Sequence, residues 1–405
     1  MKLFRVKALG MILLLFTGFL SSIHGEDFQF RYRQGDQYRI LGVVNQNVSV
    51  NGKFLMRSQL LNRVTLKVLK VEEGRGFFEG VFQFTQGRED QGETTFRLVE
   101  EYPSQFWRGP RGTMKMEDQY LMPVVRNVPH FPETPLEVGD TWTHPGEEVH
   151  DLSINFGIQQ PLKFRIDPIY EYLGLKEWDG KLWPAFSVEY TIYHRTKYPA
   201  PPSERYPVIF SGYSKQTHYW NALAGRPEYY KEEYSLNLRL NTGEIYEFEG
   251  DANAQILEAP ALATEDVIRD VKQGLLDRGL GNYQVTKTPK GVKIELEKIQ
   301  FLPDSARLLS SEERKLELLG EILNQYPGRD LLVEGHTALA GTPEQRQLLS
   351  EERAATVGDF LIKRGIRSRD RILYQGWGAT RPLDNRSAPE AMEKNRRVEI
   401  TILEN

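Results

Sequence analysis

Four residues close together in the 405-residue chain could ligate a metal ion: His144, Glu147, Glu148 and His150. Imidazole and carboxylate groups are common zinc ligands. Their spacing, however, places them around a Pro-Gly turn and not on one face of a helix. A solvated acidic loop is therefore the favoured interpretation, and we predict no metal site.

Catalytic motifs are missing from residues 28–257, which contain no nucleophile elbow, no His-Glu-x-x-His helix and no phosphate loop. His336 has neither a nucleophile nor a paired carboxylate beside it in the sequence, and such a histidine is more often structural. The chain has no cysteine, which excludes thiolate chemistry and disulfides. We predict a non-enzymatic protein without a cofactor.

The net charge excludes one class of partner. Lys and Arg number 52 against 56 Asp and Glu, so the formal charge is −4 and the chain lacks the basic excess of nucleic-acid binders.

A hydrophobic content of 40% over 405 residues predicts two or three folded units.

The amino terminus resembles an export signal. Lys2, Arg5 and Lys7 precede an uncharged run over residues 8–20, and the small residue Gly25 follows. This run is shorter than the ~20 residues that a membrane-spanning helix needs. We predict a cleaved signal peptide at 1–25 and a periplasmic protein without a transmembrane helix, possible association with the outer membrane being left open.

The sequence pattern of residues 26–258 is typical of β-strands, because segments rich in β-branched and aromatic residues recur between turn signals. The predicted strands at the start are Phe28–Arg33, Tyr38–Val44, Asn47–Val50, Phe54–Arg57, Arg63–Val71 and Phe77–Phe84. Asn51-Gly52 and Glu73-Gly74 predict hairpin turns. We expect an all-β sandwich or half-open barrel of one or two subdomains. An outer-membrane barrel is less favoured, because charged residues interrupt the strands.

The pattern then changes to helices alternating with strands. A helix at 265–278 and a hairpin at 283–296 span a predicted adaptor, 259–291, and the start of the last domain, 292–405. Ser310 with Glu313, and Thr342 with Gln345, predict capping boxes for two further helices. The order βαβαβ, then a loop and a last strand, predicts a mixed sheet with its helices on one face.

Several motifs in this last region occur together and in order. They are Ile299-Gln300-Phe301, Asp304-Ser305-Ala306, Glu334-Gly335-His336-Thr337, Leu349-Ser350, Arg353-Ala354, Gly376-Trp377-Gly378, Pro382, Asn385 and Asn395-Arg396-Arg397-Val398-Glu399-Ile400. With this set, residues 292–403 resemble the OmpA-like peptidoglycan-binding domain. The β-rich region carries no such resemblance.

The resemblance implies a site for the diamino acid of the peptidoglycan stem. In that family an Asp directly after Gly-His-Thr takes the amino group, and an Arg fifteen positions later takes the carboxylate. The Arg corresponds to Arg353, but the Asp position is Ala338, and Arg346 stands where the family usually has Asn. The site implied by the resemblance consists of His336, Thr337, Ala338, Arg346, Arg353, Asn395 and Arg397.

The effect of the missing carboxylate on ligand affinity can be estimated. A hydrogen bond to a charged group contributes roughly 1.5–3 kcal/mol, so an ammonium ligand should bind about ten- to a hundredfold more weakly. The arginines favour an anion instead. We therefore expect weakened or altered peptidoglycan contact. The alternative is a scaffold for protein interaction that no longer binds the wall, with the β-rich domain, which could bind an envelope protein, carrying the function.

Overall fold

A computed structural model describes residues 25–90, 93–198, 204–258, 264–297, 299–302 and 305–404. The predicted signal peptide lies outside these residues, apart from Gly25, and stays a prediction. The β-rich region contains fourteen strands and one short helix, α1 Ser153–Phe156. The strands are β1 Gln37–Val50, β2 Lys53–Glu72, β3 Arg75–Asp90, β4 Glu93–Arg108, β5 Met114–Met116, β6 Val125–Arg126, β7 Thr141–Thr143, β8 Gly146–Leu152, β9 Ile158–Ile166, β10 Ile169–Trp178, β11 Lys181–Arg195, β12 Pro207–Asn221, β13 Arg226–Leu240 and β14 Ile245–Glu258.

Long hairpins dominate this region. Asn51 and Gly52 have φ of 51° and 73°, and Glu73 and Gly74 have 49° and 75°, so both pairs adopt the positive φ that a tight hairpin turn needs. The strands are longer than predicted: two expected strands form β1, and two others form β2. Polar residues continue the pairing, since the amide of Gln59 donates to Asn45 at 2.9 Å across the two strands.

The predicted strand Phe28–Arg33 is wrong. Its backbone bonds to loops, with the Phe30 amide donating to the Pro110 carbonyl at 2.7 Å. Phe28 and Phe30 are only 1% and 3% exposed and pack against Phe131 and Trp220. Because its aromatic side chains fill the core, the segment lies across the inside of the region and not in a sheet ladder.

The carboxyl-terminal region alternates helices and strands. Its elements are α2 Thr264–Asp277, β15 Gln284–Thr288, β16 Gly291–Glu297, α3 Ser310–Leu323, β17 Leu331–Gly335, α4 Pro343–Lys363, a 3₁₀ turn Arg369–Arg371, β18 Ile372–Gly376, α5 Pro389–Asn395 and β19 Arg397–Leu403. The strand order is β15-β16-β19-β17-β18, with β17 and β18 parallel. Val333 and Ile400 share one core with Leu319 of α3 and Val357 of α4. This confirms the predicted multidomain fold, β-rich and then α/β.

The two predicted capping boxes have different outcomes. In α4 the Gln345 amide donates to the Thr342 hydroxyl at 3.3 Å and the Thr342 amide to the Gln345 side chain at 3.0 Å, which confirms the box. In α3 the N-cap is Leu309, without a side-chain bond, so the Ser310 box is wrong. The Leu309 amide donates to the Gln300 carbonyl, which fixes Leu309 as the extended residue before the helix.

We expect Thr342→Ala to lower the free energy of unfolding by about 1 kcal/mol, because the helix loses a side-chain cap. Ser310→Ala is the matched control. Since Ser310 makes no cap bond, its change should stay within about 0.5 kcal/mol. Urea denaturation of both variants measures the difference, and equal losses would contradict the assignment of the caps.

The two regions form one continuous sheet, which the sequence analysis did not predict. Strand β18 pairs in parallel with β4 at Leu373↔Phe96 and Tyr374↔Arg97. Buried leucines and a phenylalanine from both regions meet beside this join: Leu61, Phe96, Leu98, Leu332, Leu373 and Leu403. The Arg63 Nε atom also lies 2.9 Å from a carboxylate oxygen of Asp330. The face of the small sheet opposite the helices is thus covered by the β-rich region.

None of the helices in the described part of the chain combines the length and the apolar character needed to cross a lipid bilayer.

Candidate functional site

Two glycines place helix α4 directly against the carboxyl ends of β17 and β18. A Cβ atom on Gly335 would lie 2.1 Å from the Ser350 carbonyl oxygen, and one on Gly376 would lie 2.5 Å from the Glu351 amide nitrogen. No larger residue fits at either position without a backbone shift. The loops after both strands therefore lie close to the first half of α4.

The loop after β17 is held by backbone bonds. The Thr337 amide donates to the Gly378 carbonyl at 2.8 Å, and the Gly378 amide donates to the Ser350 hydroxyl at 2.8 Å. Thr337 and Ala338 are 6% and 5% exposed. Among the described residues the buried Thr337 hydroxyl has no hydrogen-bond partner. A buried hydroxyl without a partner is costly, so this end of the strand can accept a polar ligand group.

Arg353 lies on α4 next to Ala354, whose Cβ atom would be 3.3 Å from a Cβ atom at Gly335. Its side chain is buried: Nε donates to the Ser305 carbonyl at 3.1 Å, and the guanidinium carbon lies 4.9 Å from the centre of the Phe301 ring. A ligand carboxylate would have to approach this guanidinium beside the segment that carries Phe301 and Ser305.

Arg346 lies one turn into α4 and is half-buried. It donates to the Gly341 carbonyl at 2.5 Å, so its bond is to the backbone of the loop before the helix. Two carboxylates of α4 could stand in for the missing Asp: Glu344, which is exposed, and Glu352, which is half-buried. Arg346 thus adds positive charge at the start of α4, beside the loop that follows Ala338.

His336 and Arg397 lie on the other face of the sheet. Val398 and Ile400 alternate toward the helices, which places Arg397 and Glu399 on the opposite side. The Arg397 Nε atom donates to Glu399 at 2.7 Å, and His336 Nε2 lies 3.7 Å from the same carboxylate group. The structure therefore separates these two predicted site residues from Thr337 and Arg353.

Burial and charge shift the ionisation of this group. Burial lowers the pKa of His336. Burial also opposes ionisation of Glu399, but the neighbouring His336, Arg397 and Lys293 outweigh it and lower the pKa of Glu399 to about 2. Within the described residues, no hydrogen bond satisfies Nη1 of Arg397 or either ring nitrogen of His336.

The side chain of Asn395 forms hydrogen bonds to the backbone of the loop before α5. Its side-chain oxygen accepts from the Leu383 and Asp384 amides at 2.8 and 3.1 Å, and its amide donates to the Asp384 carbonyl at 2.7 Å. The side chain holds the loop before α5 in place. Its predicted ligand contact stays a prediction.

Residues 300–396 match the model of the OmpA family. This region is an OmpA domain. Outer membrane porin F of Pseudomonas aeruginosa is 32% identical over 111 residues, which are 27% of this chain and 31% of the porin. Peptidoglycan-binding protein ArfA of Mycobacterium tuberculosis is 33% identical over 104 residues, 26% of this chain and 32% of ArfA. The matched part thus spans about a third of the length of these relatives.

A smaller relative and two solved structures also match. The peptidoglycan-associated lipoprotein of Brucella melitensis is 31% identical over 107 residues, 26% of this chain and 62% of the lipoprotein. An outer membrane protein from Borrelia burgdorferi is 38% identical and covers 30% of this chain and 96% of its own, with a TM-score of 0.26. The cell wall anchor of the T6SS from Pseudomonas aeruginosa is 23% identical and covers 33% and 97%, with a TM-score of 0.30.

The OmpA domain also contains an arrangement that the sequence analysis missed. The guanidinium of Arg381 stacks at 3.3 Å on the Trp377 ring, whose nitrogen donates to Glu334 at 2.8 Å. The motif Gly376-Trp377-Gly378 marked the position of the ring, and Arg381 follows it by four residues, but Glu334 is 43 residues away in sequence.

The four potential metal ligands outside the OmpA domain do not form one set. His150 lies 2.7 Å from Glu148, whereas His144 stacks on His130 with ring centres 3.4 Å apart. Over the described residues there is no group of three or more side chains that could hold a metal ion.

Proposed function

We propose that the protein is a non-enzymatic component of the cell envelope whose OmpA domain contacts peptidoglycan through Thr337, Ala338 and Arg353. The observation that carries this proposal is that Arg353 follows the part of α4 that packs on Gly335 at the end of β17, and that the buried Thr337 hydroxyl beyond this strand has no hydrogen-bond partner among the described residues. The names of two relatives, a peptidoglycan-binding protein and a peptidoglycan-associated lipoprotein, support the ligand class.

The proposed site would bind the stem peptide with an arginine but without the aspartate that is usual in the family. Arg353 can pair with a carboxylate, and charge-assisted pairs of this kind fix orientation as well as position. Ala338 offers no charge to an ammonium group. We therefore propose weak binding, or specificity for a stem group with an exposed carboxylate, in which Arg346 contributes a second positive charge near the site.

A sedimentation assay of the full chain with purified peptidoglycan tests this. We expect Ala338→Asp to strengthen retention about tenfold or more, because the variant restores a charge-assisted bond to an ammonium group. Arg353→Glu should weaken retention by at least tenfold, since it places a negative charge against the ligand carboxylate. Arg364→Glu is the matched control at the residue that directly follows the same helix, where Arg364 pairs with Glu317 at 2.8 Å.

Circular dichroism of each variant separates loss of binding from loss of fold. If the parent chain is not retained, and folded Ala338→Asp gains nothing, peptidoglycan is not the ligand. That outcome favours the second candidate function, an OmpA domain used as a scaffold for protein interaction. The observation in favour of the scaffold is that Arg353 already bonds the Ser305 carbonyl under Phe301.

We further propose export to the periplasm by the signal peptide at 1–25, with possible association with the outer membrane. The proposal is supported by the charged and apolar pattern of the amino terminus. The β-rich domain is the proposed contact for an envelope protein.

A further inference from the structure

A cleft of about 400 Å³ lies between the β-rich region and the OmpA domain. It is open to solvent at the start of β17, whereas Thr337 and Ala338 follow the opposite end of that strand. The lining residues are Arg39, Ile40, Leu41, Arg63, Val64, Thr65, Leu257, Gly328, Asp330, Asp370 and Arg371. The cleft is therefore separate from the proposed peptidoglycan site.

Three arginines and two aspartates determine the charge of the cleft. Asp330 is already engaged, because its two oxygens accept from Arg63 Nε at 2.9 Å and from Arg371 Nε at 2.8 Å. Asp370 is exposed, and its carbonyl oxygen accepts from Arg63 Nη2. Arg39 donates to the Gly328 carbonyl at 3.3 Å. The positive charges thus exceed the negative ones.

Besides the charge of the cleft, the burial of Arg63 indicates a missing partner. Its residue is only 4% exposed, and its Nη1 atom is buried without a hydrogen-bond partner among the described residues. A buried charged donor without a partner is uncommon in folded proteins. Burial lowers the pKa of Arg39, and the nearby Arg329, Arg371 and Arg63 act in the same direction against Asp330. The cleft thus combines a buried guanidinium nitrogen without a partner among the described residues with an excess of positive groups.

We propose that the cleft binds the phosphate group of a small molecule, through Nη1 of Arg63 and the guanidinium groups of Arg39 and Arg371. Guanidinium groups match the geometry of phosphate oxygens and bind them in pairs. The volume is large enough for a phosphate ester as well as for free phosphate. Since Arg39 and Arg63 belong to the β-rich region and Arg371 to the OmpA domain, the ligand stabilises the contact between the two.

Isothermal titration calorimetry of the full chain with sodium phosphate, and separately with glycerol phosphate, tests the proposal. Sodium chloride at matched ionic strength is the blank. We expect saturable binding of phosphate or its ester, and tighter binding of glycerol phosphate identifies an ester as the ligand. Arg39→Gln should raise Kd at least tenfold, and Arg63→Met should do the same. Arg205→Gln, at an exposed arginine that pairs with Glu244, should leave Kd unchanged.

Arg63→Met removes a buried ion pair and could unfold the chain, so Arg39→Gln decides the outcome. Arg39 is half-buried and donates to the backbone carbonyl of Gly328, so Arg39→Gln should not break a buried ion pair. The proposal is wrong if neither compound shows saturable binding up to about 10 mM. It is equally wrong if folded Arg39→Gln binds them as tightly as the parent chain.

Discussion

Asp330→Ala should lower the free energy of unfolding by about 3–5 kcal/mol, the usual cost of removing one partner from a buried ion pair. The side chains of Arg63 and Asp330 are 4% and 8% exposed, and Asp330 also accepts from Arg371. The variant leaves both guanidinium groups without their carboxylate. Urea denaturation followed by tryptophan fluorescence and circular dichroism measures the loss in the full chain.

Asp167→Ala is the control for this measurement. Asp167 pairs with Arg165 at 2.5 Å, but both side chains are about two-thirds exposed, and such pairs contribute less than about 1 kcal/mol. If the two variants lose the same amount, the contact between the β-rich region and the OmpA domain is not a buried one.

We also expect Glu399 to make the stability of the folded chain depend on pH. Its pKa falls from the ordinary 4.5 to about 2 in the folded chain, which corresponds to roughly 3 kcal/mol of stability. Because the folded value is the lower one, this stability is fully present above pH 4.5 and is lost as the pH falls through about 2. Glu399→Gln should therefore be less stable than the parent at pH 6, and the gap should close near pH 2.

Urea titrations at several pH values between 2 and 6 measure this gap. Glu171→Gln is the comparison, since Glu171 is exposed on β10. Its curve should follow the parent at every pH. A gap for Glu399→Gln that stays constant with pH would show that the variant acts through packing and not through charge.

Local signals made the OmpA domain predictable. Thr342 and Gln345 predicted the start of α4, where the capping box is present. The alternation of Val398 and Ile400 placed β19. Each of these features depends on residues within a few positions of one another, so sequence spacing contains the information.

The join between the regions depends on residues far apart in the sequence. Leu373 pairs with Phe96, and the local residue pattern of either segment does not predict its pairing with the other. One signal was present: the run Leu331-Leu332-Val333 is apolar on both faces, as in a strand covered on both sides. Leu332 is fully buried by this cover.

The site was predictable in residue type and less so in geometry. Arg353 and Ala338 were identified from motif positions, but Phe301 and the Ser305 carbonyl, which cover Arg353, reach it from a loop. His336 and Arg397 stand next to the site in sequence or motif, yet strand alternation turns them to the other face. A motif fixes the order of residues and leaves the direction of each side chain to the fold.

The pairing of β4 with β18 has a mechanical consequence. Among the described residues two pairs join these strands, and the buried layer around Leu373 and the ion pair of Arg63 add to them. A join of this kind restricts the angle between the two regions more than a flexible tether would. With the proposed peptidoglycan contact at the OmpA domain and the proposed envelope protein at the β-rich region, the molecule would act as a spacer that sets their distance and orientation.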